Sequence, residues 1–339
     1  MNAIASPPQP EVTTPQMQLS ALLGSAGVAP LPDTGWIRVT GEDRVRWLNG
    51  MTTNSIQQLA PGEGNYNFFL SAQGRIQGDA VALALETSIL LGTARHRVPA
   101  LMELLDRFII MDDVELAEHP SFGLLVAGPR TTQSLSAIGI ATDSLAPLHF
   151  TAMDNWRGHK VAILHAYSPL VPRFELWAES SETVTELTEA LTASGAPLVE
   201  QEALTQLRLL EGTPLYGTDI RDKVLPQETA QTRALHFAKG CYLGQEIVER
   251  IRSRGNVHRT FHAFQIAGDS PTAGTSLEFE GKAVGEITSS GSIPLASGPI
   301  NLALGYIRRE ALEAAKLRGA AITCPGGRAL PVPSPFVSS

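Results

Sequence analysis

The chain has 339 residues, 43% of them hydrophobic and 18% charged, which is enough for two or three domains with cores of their own and no need of a disulfide or metal staple. Its net charge of -8 argues against a protein whose main task is gripping nucleic acid through phosphates, and no apolar run approaches the ~20 residues that span a bilayer. With only Cys241 and Cys324, the chain cannot complete a structural zinc site by itself.

Residues 1–16 hold four prolines and little that builds a core, so they read as a leader ahead of the folded part. No Lys or Arg precedes Arg38, so the basic flank of a signal peptide is missing and a cytoplasmic protein with reduced thiols is expected. WIRVT, Trp36 to Thr40, predicts a strand, and Glu42 to Met51 a short helix with Val45 and Leu48 on one face. YNFFLSA, AVALALE and SILLGTA predict three strands, RVPALMELLDR a helix with Val98, Leu101 and Leu105 inward, and IIMDDVELAE a further strand. A second set follows Pro147: HKVAILHA and RFELWAE as strands, ETVTELTEALTAS as a helix closed by Gly195, and Gln201 to Glu211 as a helix stopped by Gly212 and Pro214. Beyond Thr260, short strands rich in Gly, Pro and Ser, with one helix from Arg309 to Leu317, predict a small barrel or sandwich. The fold class is α+β in three modules. His258 and His262 have the spacing of a metal pair on a helix, but VHRTFHAFQI alternates as a strand does.

The segment KGCYLGQEIVER, residues 239 to 250, places Cys241 between two glycines. Leu243, Ile247 and Ile251 recur every fourth residue, which predicts a helix from about Tyr242 to Arg254 with Cys241 at its start. There the helix dipole and Lys239 would favour a thiolate, whereas the bland reading is a small core residue in a turn. Nothing in the sequence brings His236 to the sulfur as a base. Arg250, Arg252 and Arg254 follow closely, as an anion-attracting rim, a docking face for RNA or a protein, or a solvated helix end.

FAKGCYLGQEIVER resembles the signature of the YgfZ family, folate-binding relatives of the glycine-cleavage T-protein that assist maturation of iron-sulfur enzymes. TTNSIQQLAPGEGNYNFFLSAQGRIQGD resembles the segment that enters the folate pocket, EGTPLYGTDIRDKVLPQE the loop before the signature, and VGEITSS and LALGYI the C-terminal domain, so the likeness runs from Met17 to Ile322. It implies a three-domain T-protein-like fold: 17–50 with 147–255 as a discontinuous folate-binding domain, 51–146 inserted as an α+β domain, and 256–339 as a β-barrel-like domain. It implies tetrahydrofolate or a derivative as ligand, with Asn54, Tyr66, Asp79, Glu211, Gln245 and Glu246 on pocket positions. Cys241, with Lys239 beside it, would carry the chemistry, as one ligand of a transient iron-sulfur cluster shared with a carrier or client protein, tRNA-modifying enzymes among the clients.

Two departures qualify the likeness. Where aminomethyltransferases carry paired acids, this chain has Gly78 and Asp79, which favours a maturation factor over the alternative, a folate-dependent aminomethyl or other C1 transferase. In LRLLEG the acid, Glu211, stands one place later than the related pattern, a turn of about 100° away from the pterin edge.

Overall fold

The computed structural model describes residues 14–255 and 257–337, and the side chain of Arg254 lies outside that description. The chain enters through α1 (Pro15–Gly24) and β1 (Gly27–Pro30). Proline suits the first helical turn, and Thr14 Oγ1 accepts from the Met17 N–H at 3.3 Å, so the expected leader is folded from residue 14 onward, while residues 1–13 lie outside the described residues.

A second unit then follows: β2 (Thr34–Thr40), α2 (Arg44–Met51), β3 (Gly64–Leu70), β4 (Ile76–Ala84), β5 (Ile89–Ala94), α3 (Val98–Asp106) and β6 (Glu115–His119). The chain returns with β7 (Phe122–Ala127), α4 (Thr131–Ala137), β8 (Phe150–Trp156), β9 (His159–His165), β10 (Arg173–Ala178), α5 (Ser181–Ala193) and α6 (Gln201–Glu211). Helix α7 (Gln245–Arg254) leads into β11 (Arg259–Gly268), β12 (Ser276–Phe279), β13 (Lys282–Leu295), β14 (Gly298–Arg308), α8 (Arg309–Arg318), β15 (Ile322–Cys324) and β16 (Gly327–Val332). Two five-stranded antiparallel sheets, ordered β1-β7-β10-β9-β8 and β3-β4-β5-β2-β6, accompany a closed barrel of the last six strands.

The interruption of the first sheet falls at 34–119, which corrects the expected boundaries of 51–146. Trp36 of β2 pairs with Gly92 and with His119, so this strand belongs to the second sheet, whereas Val126 of β7 pairs with Val28 and with Phe174 in the first. A strand's own pattern carries its length and its buried face but not its neighbours.

IIMDDVELAE is also shorter as a strand than expected. Ile110 and Met111 are 83% and 94% exposed, and only Glu115–His119 pairs. The carboxylate of Asp113 accepts from the Glu42 N–H at 2.8 Å and that of Asp43 from the Asp113 N–H at 3.0 Å, which holds the preceding turn against the start of α2. Such side-chain bonds to the backbone compete with strand pairing.

The barrel is fastened to α6 by a buried polar knot. Asp219, 1% exposed, accepts from Arg208 Nη1 at 2.7 Å, from Thr288 Oγ1 at 2.5 Å and from Ser289 Oγ at 2.6 Å. A carboxylate so completely paired is tolerated in the interior, and it fixes how β13 meets the helix.

Candidate functional site

Alternation along β4 sends Asp79 and Val81 to one face and Gly78, Ala80 and Ala82 to the other. Asp79 lies opposite Phe68 of β3, and the Tyr66 hydroxyl, one step away on the same face, donates to Asp79 Oδ2 at 2.6 Å. Burial pushes the Asp79 carboxyl up to about 6, against the lowering effect of the Tyr66 bond and of Arg233 and Arg97. The same burial, with the Asp79 charge, holds the Tyr66 phenol well above its usual range.

Arg233, on a short turn at Thr232–Ala234, places its charge near this carboxylate. Its guanidinium lies 4.1 Å from the Tyr66 ring centroid and 3.8 Å from that of Tyr167, and Gln231 Oε1 accepts from its Nε at 3.0 Å. Tyr167 lines a cavity of about 390 Å³ together with Glu211, Thr213, Gln231, His262 and Pro335. Glu211 ends α6 and is 8% exposed; Ser168 Oγ donates to it, and burial raises its pKa. Gly212 follows at φ 65, where a Cβ would stand 2.2 Å from Ser334 Oγ, so glycine lets the helix stop against the C-terminal segment. Glu211, the last residue of α6, faces this cavity.

Asn54 stands behind the same basin, its Nδ2 donating to Tyr66 O at 3.2 Å and to Arg233 O at 2.9 Å. Lys239 holds the segment that carries Asn54. Its Nζ donates to the carbonyl oxygens of Asn49, Thr52 and Asn54 at 2.7, 2.7 and 2.6 Å. Burial pulls the ammonium down to about 7, but three carbonyls can only accept, so this geometry requires the charged form. Lys239 is thus committed to the backbone of 49–54 rather than to the neighbouring sulfur, which corrects its expected role.

Cys241 is exposed, on the loop before α7. Helix α7 starts at Gln245, not Tyr242, because Gly244 adopts φ 81 at the N-cap, where a Cβ would meet Ser71 O at 2.6 Å. Cys241 lies outside the first turn, and the dipole's influence does not extend that far. Gln245 Oε1 accepts from the Tyr242 N–H at 3.3 Å, and Glu246 is exposed; neither is gathered with Asp79. Of the apolar residues of α7, Val248 is fully buried and Ile247 and Ile251 are half-buried. Arg252 stacks 4.4 Å from the Phe237 ring and pairs with Glu249 at 3.6 Å, while Arg250 is exposed. Cys324 is 7% exposed on β15 and its thiol is pushed up by burial.

The structure thus brings Asn54, Tyr66, Asp79 and Glu211 around Arg233 and leaves Cys241 on the preceding loop and Gln245 and Glu246 in the first turn of α7, apart from that cluster. Arg233, Tyr167 and Arg97 escaped the sequence because each sits on a turn or loop, where no periodicity marks a direction. Gly78 also changes meaning. Its Cβ would meet Leu101 Cδ1 at 3.3 Å and Phe69 at 3.7 Å, so that position faces the core under α3 and its lost acid takes nothing from the basin.

The GCVT N-terminal domain family matches residues 16–239. A putative chloroplastic transferase of Arabidopsis thaliana is 25% identical over 296 residues, 86% of this chain and 68% of that protein. The tRNA-modifying protein YgfZ of Photorhabdus laumondii is 27% identical over 272 residues, 78% of this chain and 79% of its own length. An aminomethyltransferase of Frankia alni is 25% identical over 302 residues, covering 84% and 79%. The crystal structure of glycine cleavage system aminomethyltransferase T from Bartonella henselae superposes with a TM-score of 0.84 over 96% of this chain and 90% of that one at 22% identity, which establishes the shared fold.

Proposed function

Since the chain belongs to the GCVT N-terminal domain family, we propose that it binds a reduced folate in the interior basin and offers Cys241 to a partner at the surface, as a factor for assembly or repair of iron-sulfur clusters in client enzymes. The observation that carries this reading is the separation of the two features: the buried Asp79–Tyr66 pair with Arg233, whose guanidinium stacks on Tyr167 at the edge of the cavity that Glu211 lines, and an exposed thiol away from both.

The basin's chemistry suits a pterin. Asp79 and Glu211 would accept its ring N–H groups, and the Tyr66 and Tyr167 rings, which already hold a planar cation, would hold a planar heterocycle. Bound folate would supply a carrier for a one-carbon unit. Among the described residues no group of three or more His, Cys, Asp or Glu side chains could hold a metal ion, so a cluster handled as cargo would take one ligand from Cys241 and the rest from a carrier or client.

Aminomethyl transfer stands as the second reading on one observation: Asp79, the acid that remains, is the one facing the basin, and Gly78 faces away. Calorimetry with tetrahydrofolate, a turnover assay with the other glycine-cleavage components, and anaerobic purification with a cluster carrier divide the readings. The proposal expects folate binding weakened in Asp79→Asn and unchanged in Cys241→Ser, with a carrier-dependent chromophore lost in Cys241→Ser. Robust turnover without such a chromophore would establish the transferase, and absent folate binding would remove both.

A further inference from the structure

A second cavity, away from the folate basin, lies at the seam between the two five-stranded sheets. Trp36 of β2 and Trp177 of β10 meet there edge to face, with ring centroids 5.2 Å apart, and Leu83 and Leu164 complete the apolar contact. Beside them opens a cavity of about 210 Å³ whose walls come from β2, β4, β5, β6, β8, β9 and β10 and are mostly apolar. One guanidinium, that of Arg38, stands in this wall.

Arg38 has no carboxylate partner within ion-pair distance among the described residues. Its Nη2 lies 3.2 Å from His119 Nδ1, and its Nε is buried with no hydrogen-bond partner. Burial first and then the Arg38 charge hold the His119 pKa below its usual value, against the raising effect of Glu179, so at neutral pH the imidazole is an acceptor and forms no ion pair with Arg38. Trp36 Nε1 and Ser121 Oγ, on two further wall residues that are 4% and 9% exposed, are also buried without partners. Trp36 and Arg38 offer only donors there, and a buried donor left unpaired is costly. The two other charged residues of the lining, Lys160 and Glu179, are exposed, and Lys160 is already paired with Asp154 at 3.5 Å.

Apolar walls and one guanidinium without an ion pair, with the Glu179 carboxylate out in solvent, select a ligand with an apolar body and an anionic acceptor head. The volume is below the ~300–1,000 Å³ of sites for drug-sized molecules, which excludes a folate and limits the occupant to a small acid. We propose that this seam binds a small apolar monocarboxylate, its carboxylate on the Arg38 guanidinium and its apolar part against the Trp36 and Trp177 rings, Leu83 and Leu164.

The chain has four tryptophans, and the indole N–H groups of Trp47, Trp156 and Trp177 already donate to Phe108 O, Ile138 O and Glu175 Oε2. In a proton–nitrogen correlation spectrum of the full chain, titration with phenylacetate should therefore move the Trp36 indole signal saturably while that of Trp156 stays fixed. Phenylacetamide, of the same shape without the charge, should bind roughly tenfold more weakly or worse, and Arg38→Gln should reduce phenylacetate affinity to that of the amide. Tetrahydrofolate should not compete. The acid and amide comparison needs no variant and so holds even if Arg38→Gln does not fold. No saturable movement of the Trp36 signal up to about 10 mM probe, or a signal that reports only a bound water, would overturn the proposal, as would equal affinity for acid and amide or competition by tetrahydrofolate.

Discussion

Replacing Asp79 with Asn should change stability in a pH-dependent way whose size follows from its burial. The folded protein holds the Asp79 proton more tightly than the unfolded chain does. This contribution to stability is fully present below the unfolded value and is lost as pH rises through the folded one. A rise from 3.8 to about 6 corresponds to about 3 kcal/mol. Asn cannot ionise, and its carbonyl can still accept from the Tyr66 hydroxyl, so Asp79→Asn removes the cost of burying the charge and little else. Its stability relative to wild type should increase by about 2 kcal/mol between about pH 4.5 and about pH 8, nearly all of it below about pH 6.5, where the curve levels off. Urea unfolding of both proteins across that range measures the difference directly, and taking the difference cancels groups that titrate alike in both. A pH-independent gap would refute the burial argument and with it the reading of Asp79 as a buried acceptor for a folate N–H. Saturating tetrahydrofolate should shrink the effect in wild type, because ring N–H donors would stabilise the carboxylate.

Lys239→Met should leave the carbonyls of Asn49, Thr52 and Asn54 without their donor and cost about 2–4 kcal/mol by urea unfolding, while the alkylation rate of Cys241 at neutral pH stays within about twofold. Asp219→Ala should cost about 3–5 kcal/mol, because it strands Arg208 and frees β13 from α6; limited proteolysis should then cut near the barrel junction, and uncut protein of wild-type stability would contradict the knot. Gly244→Ala should cost about 1–3 kcal/mol through its positive φ and the contact with Ser71 O, read as a lower melting temperature. A bulky thiol reagent should label Cys241 in the native protein and Cys324 only after denaturant is added; native labelling at both would contradict the burial of β15.

The sequence by itself determined the elements whose pattern is local. Helix α6 runs from Gln201 to Glu211 and α3 buries Val98, Leu101 and Leu105, as their spacing predicts, and the glycine-rich C-terminal strands close into a barrel. The α+β class and the family likeness were equally legible, since motif order is a property of the chain. Only the tertiary structure decided which sheet β2 and β7 join, that Gly78 faces Leu101 while Asp79 faces Tyr66, that Lys239 serves the backbone of 49–54, and that Arg233 links Asp79 to the cavity at Glu211. The reason is the range of the interactions. Periodicity and capping are set by residues within a few positions of each other, whereas strand neighbours, buried charge and the partners of a loop side chain come from segments tens to hundreds of positions away, and their energies exist only once the core has excluded water.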